Sequence, residues 1–368
     1  MTPPEVFTLM STPQQIVSSS EQATVRSLPI EFWPEADRKA WVAACQPSQR
    51  LKRGGAGSHM KPITLNDLAR RYGYFLDCMN RRGLLDPNKA AGGHVTREGV
   101  DAYLAELNSR VGSVTAYGSI YKLRRACELI DPARDLFWLA DIEKDLALMM
   151  RPRSKSDRWV LTEVLVEAGL TLINEAENTR KMSKLAQARQ VRNGLMVAML
   201  AMHPIRLKNF AALEIGRSLV ETKGSWWIVL SASETKEDRP DERRIDDLLQ
   251  PALDRYLKKY RPLLAGADQS TVAVLWLSSN DGNPMTYDGV ARAITDTARS
   301  TVGVPVSPHL FRTSVASSAA IHGGAEPNLA SALLHHTDHG VTEAHYNRAS
   351  SLRAAKSFRE IIQGYVKD

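Results

Sequence analysis

A short basic segment divides the chain into two stretches with different patterns. The segment is RPRSKSDR at residues 151–158, where four of the eight residues are Arg or Lys. Before it, apolar residues recur at helical spacing, whereas after it strand-like runs interrupt the helical patterns. A chain of 368 residues is long enough for two domains with separate cores. We therefore predict a linker at 151–158 with one domain on each side.

The stretch before the linker predicts only helices. Residues 1–60 predict a flexible N-terminal arm with one short helix, in LPIEFWPEADRKAWVAACQ. Residues 61–150 predict a compact unit of four helices. The first has apolar residues at spacings of three and four from Thr64, and the second is capped by Thr96. The other two lie in SVTAYGSIYKLRRACELI and DLFWLADIEKDLALMM.

The stretch after the linker predicts a second, mixed domain at 159–368. Helices are expected at about 161–177, 185–202, 286–301, 309–321, 327–335, 341–349 and 351–364. Three strands are expected in SWWIVLSA, RRID and VAVLWLS, which are rich in aromatic and β-branched residues. The predicted fold class is therefore mainly α: a helical domain, then a mostly helical domain with a small antiparallel sheet.

The composition indicates the cellular compartment and the kind of partner to expect. The net charge of +7 and the pI of about 9.3 are compatible with a polyanionic partner. The three cysteines are widely spaced, and the N-terminus lacks the basic and apolar regions of a signal peptide. The longest apolar run, LMVAMLAM, is too short to span a membrane. We expect a cytoplasmic protein with no membrane contact.

Several residues in the second domain suit phosphate chemistry. SPHLFRTSVASSAA puts His309 and Arg312 three residues apart near a helix start, on one face and close to the positive end of the helix dipole. That end attracts phosphate, to which Arg offers a bidentate fork. Arg206 stands between two helical patterns in HPIRLKNFAALEIG, and Lys236 follows a strand in SASETKEDRPDERR. Taken singly, each is equally a surface or capping residue, and KEDRPDERR is interpreted as a solvated turn.

The segment LLHHTDHGVTEAHYNRA, residues 333–349, contains four histidines before a tyrosine. A metal site is one interpretation, because His335 and His339 stand at i, i+4. However, zinc sites usually also recruit Cys, Asp or Glu, and Asp338 is the only acid here before Glu343. The other interpretation is a tyrosine nucleophile assisted by nearby histidines.

Taken in chain order, these residues resemble a known set. An Arg, a hairpin Lys, a His-x-x-Arg pair and a His ten residues before a Tyr are similar to the motif of the tyrosine recombinase family, also called phage-type integrases. The resemblance covers about residues 160–350 for the catalytic domain, and the helical unit at 61–150 resembles the family's core-binding domain. It implies six catalytic residues: Arg206, Lys236, His309, Arg312, His336 and Tyr346.

The sequence departs from the family pattern at two positions. Asn209 stands three residues after the first arginine, where an acidic residue is usual, and His335 stands where Gly is common. Lys223, in ETKGSW, is a rival to Lys236 as the hairpin lysine.

The resemblance implies a site-specific recombinase that integrates, excises or transposes a mobile element. Such an enzyme cleaves and rejoins DNA through a covalent 3′-phosphotyrosine, with no metal or other cofactor. The implied partners are double-stranded DNA, further copies of the chain in a tetrameric synapse, and accessory DNA-bending proteins.

The final amphipathic pattern, SLRAAKSFREIIQGYVKD, predicts a helix that docks within the chain or on a neighbouring protomer. Six basic residues are expected along the DNA: Lys122, Arg124, Arg125, Arg151, Arg153 and Lys155.

Two alternatives share part of this chemistry. A type IB topoisomerase also breaks and rejoins DNA through a tyrosine, but a separate core-binding domain fits an integrase better. A relative that binds DNA without catalysis is the second alternative, which the occupation of all six positions disfavours.

Overall fold

Helices build most of both halves of the chain. The computed structural model describes residues 25–51, 53–152, 158–179, 181–236, 238–265, 273–322 and 329–334. The chain divides into two compact units, Met1–Arg153 and Ser154–Asp368. The first contains only helices among its described residues, and the second adds one three-stranded antiparallel sheet to its helices. The predicted fold class, mainly α with a small antiparallel sheet, is confirmed.

The four predicted helices of the first unit are present. They are α2 (Pro62–Arg81), α3 (Arg97–Arg110), α4 (Ser113–Ile130) and α5 (Phe137–Leu148). Thr96 caps α3 as its sequence position predicts, because its Oγ1 accepts the Gly99 N–H at 3.1 Å. Edge-to-face and tilted aromatic rings link the core, with Phe75 of α2 5.6 Å from Tyr103 of α3.

The expected flexible arm at 1–60 differs from the structure over its described part. The predicted short helix is there as α1 (Glu35–Ala44), but it belongs to the core of the first unit, with Trp33 and Trp41 buried. Asp37 is fully buried and accepts hydrogen bonds from Tyr72 Oη at 2.8 Å and from the Gly92 N–H at 2.7 Å. The aromatic and carboxylate partners needed for this packing lie 35 and more residues away, so local composition does not reveal it.

The second unit begins with an antiparallel helix pair. α6 (Thr162–Asn178) and α7 (Lys184–Met202) approach closely where Gly169 faces Gly194. The short helix α8 (Leu207–Ala211) follows. After the sheet, α9 (Gln250–Arg255) continues through a π turn at Tyr256–Tyr260 into α10 (Arg261–Ala265).

Three further helices are described near the end of the second unit. They are α11 (Tyr287–Val302), α12 (Pro308–His322) and α13 (Leu329–Leu334). The bounds of α11 and α12 agree with the sequence predictions to within about a residue. The helices expected at 341–349 and 351–364 lie outside the described residues.

The sheet has the order β1 (Leu219–Thr222), β2 (Ser225–Leu230) and β3 (Asp241–Arg244). β2 lies in the predicted SWWIVLSA, and β3 overlaps the predicted RRID but begins two residues earlier. A two-residue turn joins β1 to β2. Its residues, Lys223 and Gly224, both have positive φ, at 51° and 75°, as a type I′ hairpin turn requires.

The prediction of a strand in VAVLWLS is wrong. Val274 and Leu277 form only isolated bridges, and the sheet is completed instead by β1, which was not predicted. Side chains occupy several backbone carbonyls of this segment: Tyr256 Oη donates to Leu275 O at 3.0 Å, and Arg261 Nη2 donates to Val274 O at 2.6 Å. The carbonyl of Trp276 instead accepts the backbone N–H of Met285 at 2.9 Å. An apolar run buried on all sides does not by itself distinguish a strand from such a segment.

Candidate functional site

Arg206 lies at the junction between α7, whose second half is mostly buried, and a short helix. The apolar helix α7 ends at Met202, and the HPIR turn leads from it into α8. The carbonyl of Arg206 accepts the N–H groups of Asn209 and Phe210 at 2.9 and 3.0 Å, so Arg206 is the N-cap of α8. Its side chain is half-buried, and Asn209, which replaces the family's acidic residue, is buried. The sequence therefore fixes the backbone of Arg206 between two packed helices.

His309 and Arg312 occupy the first turn of α12, as the HLFRTS motif predicts. Pro308 is the first residue of this helix, a position that proline favours because its missing N–H would have no helical partner there. His309 is exposed, whereas Arg312 is half-buried one turn further along. Between them, Leu310 and Phe311 are buried and anchor the helix start in the core.

The guanidinium of Arg312 connects two distant parts of the chain. Its Nη1 donates to the carbonyl of Pro204, two residues before Arg206, and its Nη2 donates to the carbonyl of Leu334 at 2.6 Å. Leu334 is the last residue of α13 and directly precedes His335 and His336. Arg312 thus brings together the Arg206 turn, the start of α12 and the end of α13.

A second arginine holds the same end of α13. Arg243 on β3 donates from Nη1 to the carbonyl of Leu333 at 2.9 Å, and it pairs in bidentate fashion with Asp241 at 2.7 and 2.9 Å. The last carbonyls of a helix have no partners within the helix, so cationic donors are favourable there. The side chains of Arg243 and Asp241 are only 12% and 9% exposed. The prediction that KEDRPDERR is a solvated turn is therefore wrong for Asp241 and Arg243.

Sequence reasoning did not identify Arg243 as a site residue. The acceptor, Leu333, lies 90 residues away along the chain, and charged residues in DERR look like those of any exposed strand. The only available signal was the alternation of Asp241 and Arg243, which puts both side chains on one face of β3.

The two candidate lysines lie at opposite ends of β2. Lys223 is in the β1–β2 turn beside Ser225, whereas Lys236 is in the connection from Leu230 to β3. Thr235 closes this connection, because its Oγ1 donates to Arg239 O at 2.7 Å and accepts the Arg239 N–H at 3.1 Å. Lys236 is exposed in the bend that results. It therefore lies at the end of the sheet where β3 begins with Asp241, the partner of Arg243.

A buried histidine also borders this region. His203 ends α7 and is 7% exposed, and its Nε2 faces the Asp246 N–H at 3.5 Å. Burial, and then the positive charge of Arg243, lower the pKa of His203 to about 4. His203 is therefore neutral at physiological pH and acts as a structural residue next to Arg206.

His336 and Tyr346, and the rival His335, lie outside the described residues, so their predicted roles stay predictions. The zinc interpretation also concerns that segment. Across the residues that the structure does describe, no group of three or more His, Cys, Asp or Glu side chains could hold a metal ion. Within the same residues, no helix is long and apolar enough to cross a membrane.

The basic residues predicted to contact DNA in the first unit are engaged with carboxylates. Lys122 pairs with Asp67, and Arg124 donates from Nε to Glu143 at 2.8 Å and from Nη1 to Glu128. Arg125 also pairs with Glu128, at 3.0 Å. In the linker, Arg151 is exposed, and its backbone N–H donates to Ser113 Oγ at 2.9 Å. Arg153 and Lys155 lie outside the described residues.

A scan of family models finds no match to the chain, and a search of curated proteins also finds none. Two solved structures are similar to it. The crystal structure of XerA recombinase is 17% identical, with 82% of this chain and 94% of that chain covered and a TM-score of 0.37. XerH site-specific recombinase, bound to a palindromic difH substrate in a post-cleavage complex, is 13% identical, with coverage of 92% and 98% and a TM-score of 0.47. Both are recombinases, the class of protein that the sequence motif resembles.

Proposed function

We propose that the chain is a DNA strand transferase of the tyrosine recombinase type, which cleaves and rejoins duplex DNA at specific sites through a covalent 3′-phosphotyrosine. The observation that carries the proposal is the pair of hydrogen bonds from Arg312 to the carbonyls of Pro204 and Leu334. They join three segments that are far apart in sequence. The first two segments carry Arg206 and the His309–Arg312 pair, and the third, α13, ends two residues before His336 in the sequence.

The role proposed for the arginines follows from the charge of the transition state. When the phenol oxygen of Tyr346 attacks the scissile phosphorus, the phosphate gains negative charge as the new P–O bond forms and the P–O5′ bond breaks. Arg206 and Arg312 would donate hydrogen bonds to the two non-bridging oxygens and stabilise this charge. By analogy with donors in oxyanion holes, removal of one should raise the barrier by roughly 3 to 4 kcal/mol.

The proton transfers need separate groups. A tyrosine phenol has a pKa of about 10, so at neutral pH it needs a base to become a good nucleophile. His309 would help to remove the phenol proton, Lys236 would protonate the departing 5′ oxygen, and His336 would hydrogen-bond the phosphate. Lys236 is preferred to Lys223 because its loop leads directly into β3, the strand whose Arg243 contacts the end of α13. Because one phosphate ester replaces another, rejoining needs no ATP.

DNA contact by the first unit would require an exchange of ion-pair partners. Arg125 is 39% exposed at its side chain and Glu128 is 34% exposed, so this pair can open to a phosphate at little cost, as surface pairs usually contribute below about 1 kcal/mol. Arg124 is more deeply held, because its side chain is 19% exposed and meets two carboxylates. Among the described residues, we propose Arg125 and Arg151 as the more accessible contacts to the DNA backbone, with Lys122 and Arg124 second. Arg153 and Lys155 stay contacts predicted from the sequence.

The proposed assembly follows the family resemblance. Four protomers would bring two DNA sites together and exchange strands in pairs through a four-way junction, with accessory DNA-bending proteins directing the outcome. The DNA would be the end of a mobile element that is integrated, excised or transposed.

The test is the covalent adduct. Tyr346→Phe removes only the phenol oxygen, so it should retain DNA binding and form no adduct on a nicked suicide substrate run on a denaturing gel. Tyr287→Phe, which removes a hydroxyl from a side chain 54% exposed on α11, is the control and should form the adduct normally.

Three results would contradict parts of the proposal. An adduct with Tyr346→Phe would exclude this tyrosine as the nucleophile, and cleavage by the native chain that EDTA abolishes would favour the metal interpretation. Relaxation of any supercoiled plasmid, with no dependence on the ends of the mobile element, would favour the topoisomerase alternative.

A further inference from the structure

A groove in the second unit carries an excess of arginine away from the candidate site. It lies between α7, the turn at 278–286 and one face of α11 from Gly289 to Ser300, and its volume is about 600 Å³. Among the described residues, three arginines line it: Arg189 and Arg192 from α7, and Arg292 from α11. None of the four motif residues that the structure describes, Arg206, Lys236, His309 and Arg312, belongs to its lining.

Arg192 is a buried cation whose acceptors are all neutral. It is 4% exposed, and its Nη1 donates to Leu277 O at 2.5 Å while Nε and Nη2 donate to Asn193 Oδ1 at 3.0 and 2.8 Å. Among the residues that the structure describes, it meets no carboxylate. Burial lowers its pKa, and Arg189 adds to that effect. A buried charge without a counter-charge is unfavourable, so an anion in the groove would stabilise Arg192.

Arg189 and Arg292 add positive charge from opposite sides of the groove. Both are exposed, and neither has a hydrogen bond or ion pair within the described ranges. Arginines nearby are paired, as Arg299 is with Asp296 at 2.8 Å. Asp296 and Asp281 also line the groove, and Asp281 accepts from Asn283 Nδ2 at 2.8 Å. The groove therefore keeps one more positive than negative charge, and both of its acids already have partners.

The shape and donors of the groove suit one class of ligand. Arginine forks bind phosphate oxygens in a planar, two-point geometry. The N-terminus of α11, a helix of 16 residues, opens onto the groove at Thr286 and adds the positive end of its dipole. The volume lies within the usual range for sites that hold a small molecule, about 300 to 1,000 Å³.

We propose that this groove is a phosphate-binding site, held by Arg189, Arg192 and Arg292. The phosphate is either part of a DNA backbone or a free phosphate. In both cases the exposed guanidinium groups of Arg189 and Arg292 would contact it, and the buried Arg192 would add its positive charge. The site is independent of the strand-transfer chemistry and would remain if that chemistry were absent.

The test compares two double variants that lose the same charge. Arg189→Gln with Arg292→Gln removes the two exposed arginines and leaves the buried Arg192 in place. The control, Lys184→Gln with Lys258→Gln, removes two exposed lysines of the same unit that do not line the groove. Thermal unfolding of each protein checks that it folds. Two probes are then used: non-specific duplex DNA over a range of salt concentrations, and inorganic phosphate in thermal unfolding.

If the groove binds the DNA backbone, the arginine variant should lose about two units of the slope of log K against log salt, and the control should lose less. If it binds free phosphate, inorganic phosphate should raise the Tm of the native chain and of the control, but not of the arginine variant. The proposal is overturned if the arginine variant matches the control in both measurements. Tyr346→Phe should leave both measurements unchanged, so failure of the proposed strand transfer and failure of this site give different results.

Discussion

The contact between α6 and α7 gives a sharp test of the scaffold that holds Arg206. A Cβ atom added at Gly169 would lie 2.6 Å from Gly194 O and 2.9 Å from Ala198 Cβ. These neighbours are backbone and a methyl group within α7, so no flexible side chain can move aside. Gly169→Ala therefore forces the two helices apart or off their present register.

The expected size follows from two opposing effects. Alanine is favoured over glycine in a helix interior by about 1 kcal/mol. An extra carbon in a well-packed core destabilises by about 1 to 3 kcal/mol, and rigid backbone contact puts Gly169 at the upper end of that range. We expect the free energy of unfolding of the second unit to fall by about 1 to 2 kcal/mol, which lowers its Tm by roughly 2 to 8 °C.

Gly118 in α4 provides the matched control. A Cβ atom there would meet nothing within 4 Å, so Gly118→Ala should stabilise the first unit by about 0.5 to 1 kcal/mol. Differential scanning calorimetry of the full chain measures both variants. The reasoning is refuted if Gly169→Ala raises the Tm of the second unit, as Gly118→Ala should for the first.

Two further predictions concern histidines. Single-turnover cleavage of the suicide substrate, followed on a denaturing gel, should be slowed strongly by His336→Ala. His335→Ala and His339→Ala should each slow it by less than about tenfold, or 1.4 kcal/mol of barrier. A larger defect at His335 than at His336 would contradict the assignment of His336. The pKa of His203 falls from its ordinary value to about 4 in the folded chain, so its contribution to stability is complete above about pH 6.5 and is lost as the pH falls toward 4, by roughly 3 kcal/mol. Between pH 7 and pH 4, the unfolding free energy of the native chain should therefore fall by roughly 3 kcal/mol more than that of His203→Gln.

The helices were predictable because their signals are local. The cap at Thr96 and the apolar spacing of α2 each lie within one or two turns of the chain, and the structure has both features where they are expected. The β1–β2 hairpin carries an equally local signal in Lys223-Gly224, but its first strand, LVET, is too short and polar to stand out. Local patterns thus predict elements whose stabilising partners are close in sequence.

The elements that sequence analysis missed depend on partners far along the chain. The segment at Val274–Leu277 resembles a strand, yet three of its four carbonyls accept hydrogen bonds from the side chains of Tyr256, Arg261 and Arg192. Those partners are not adjacent to the segment in sequence. The segment that contains α1 likewise packs into the core of the first unit, where Asp37 accepts a hydrogen bond from Tyr72. A sequence shows that a residue can donate or accept, but only the fold shows to which group.

The candidate site combines both kinds of information. Residue type and order identify Arg312, but its two carbonyl acceptors lie 108 and 22 residues away. A lysine at this position would present one point charge, whereas the planar guanidinium reaches Pro204 O and Leu334 O from two different nitrogens. Arg243 supplies a second donor to the same helix end, from the sheet. The carbonyl end of α13 is therefore fixed from two sides, by α12 and by β3, two residues before His336, the histidine proposed to bind the phosphate.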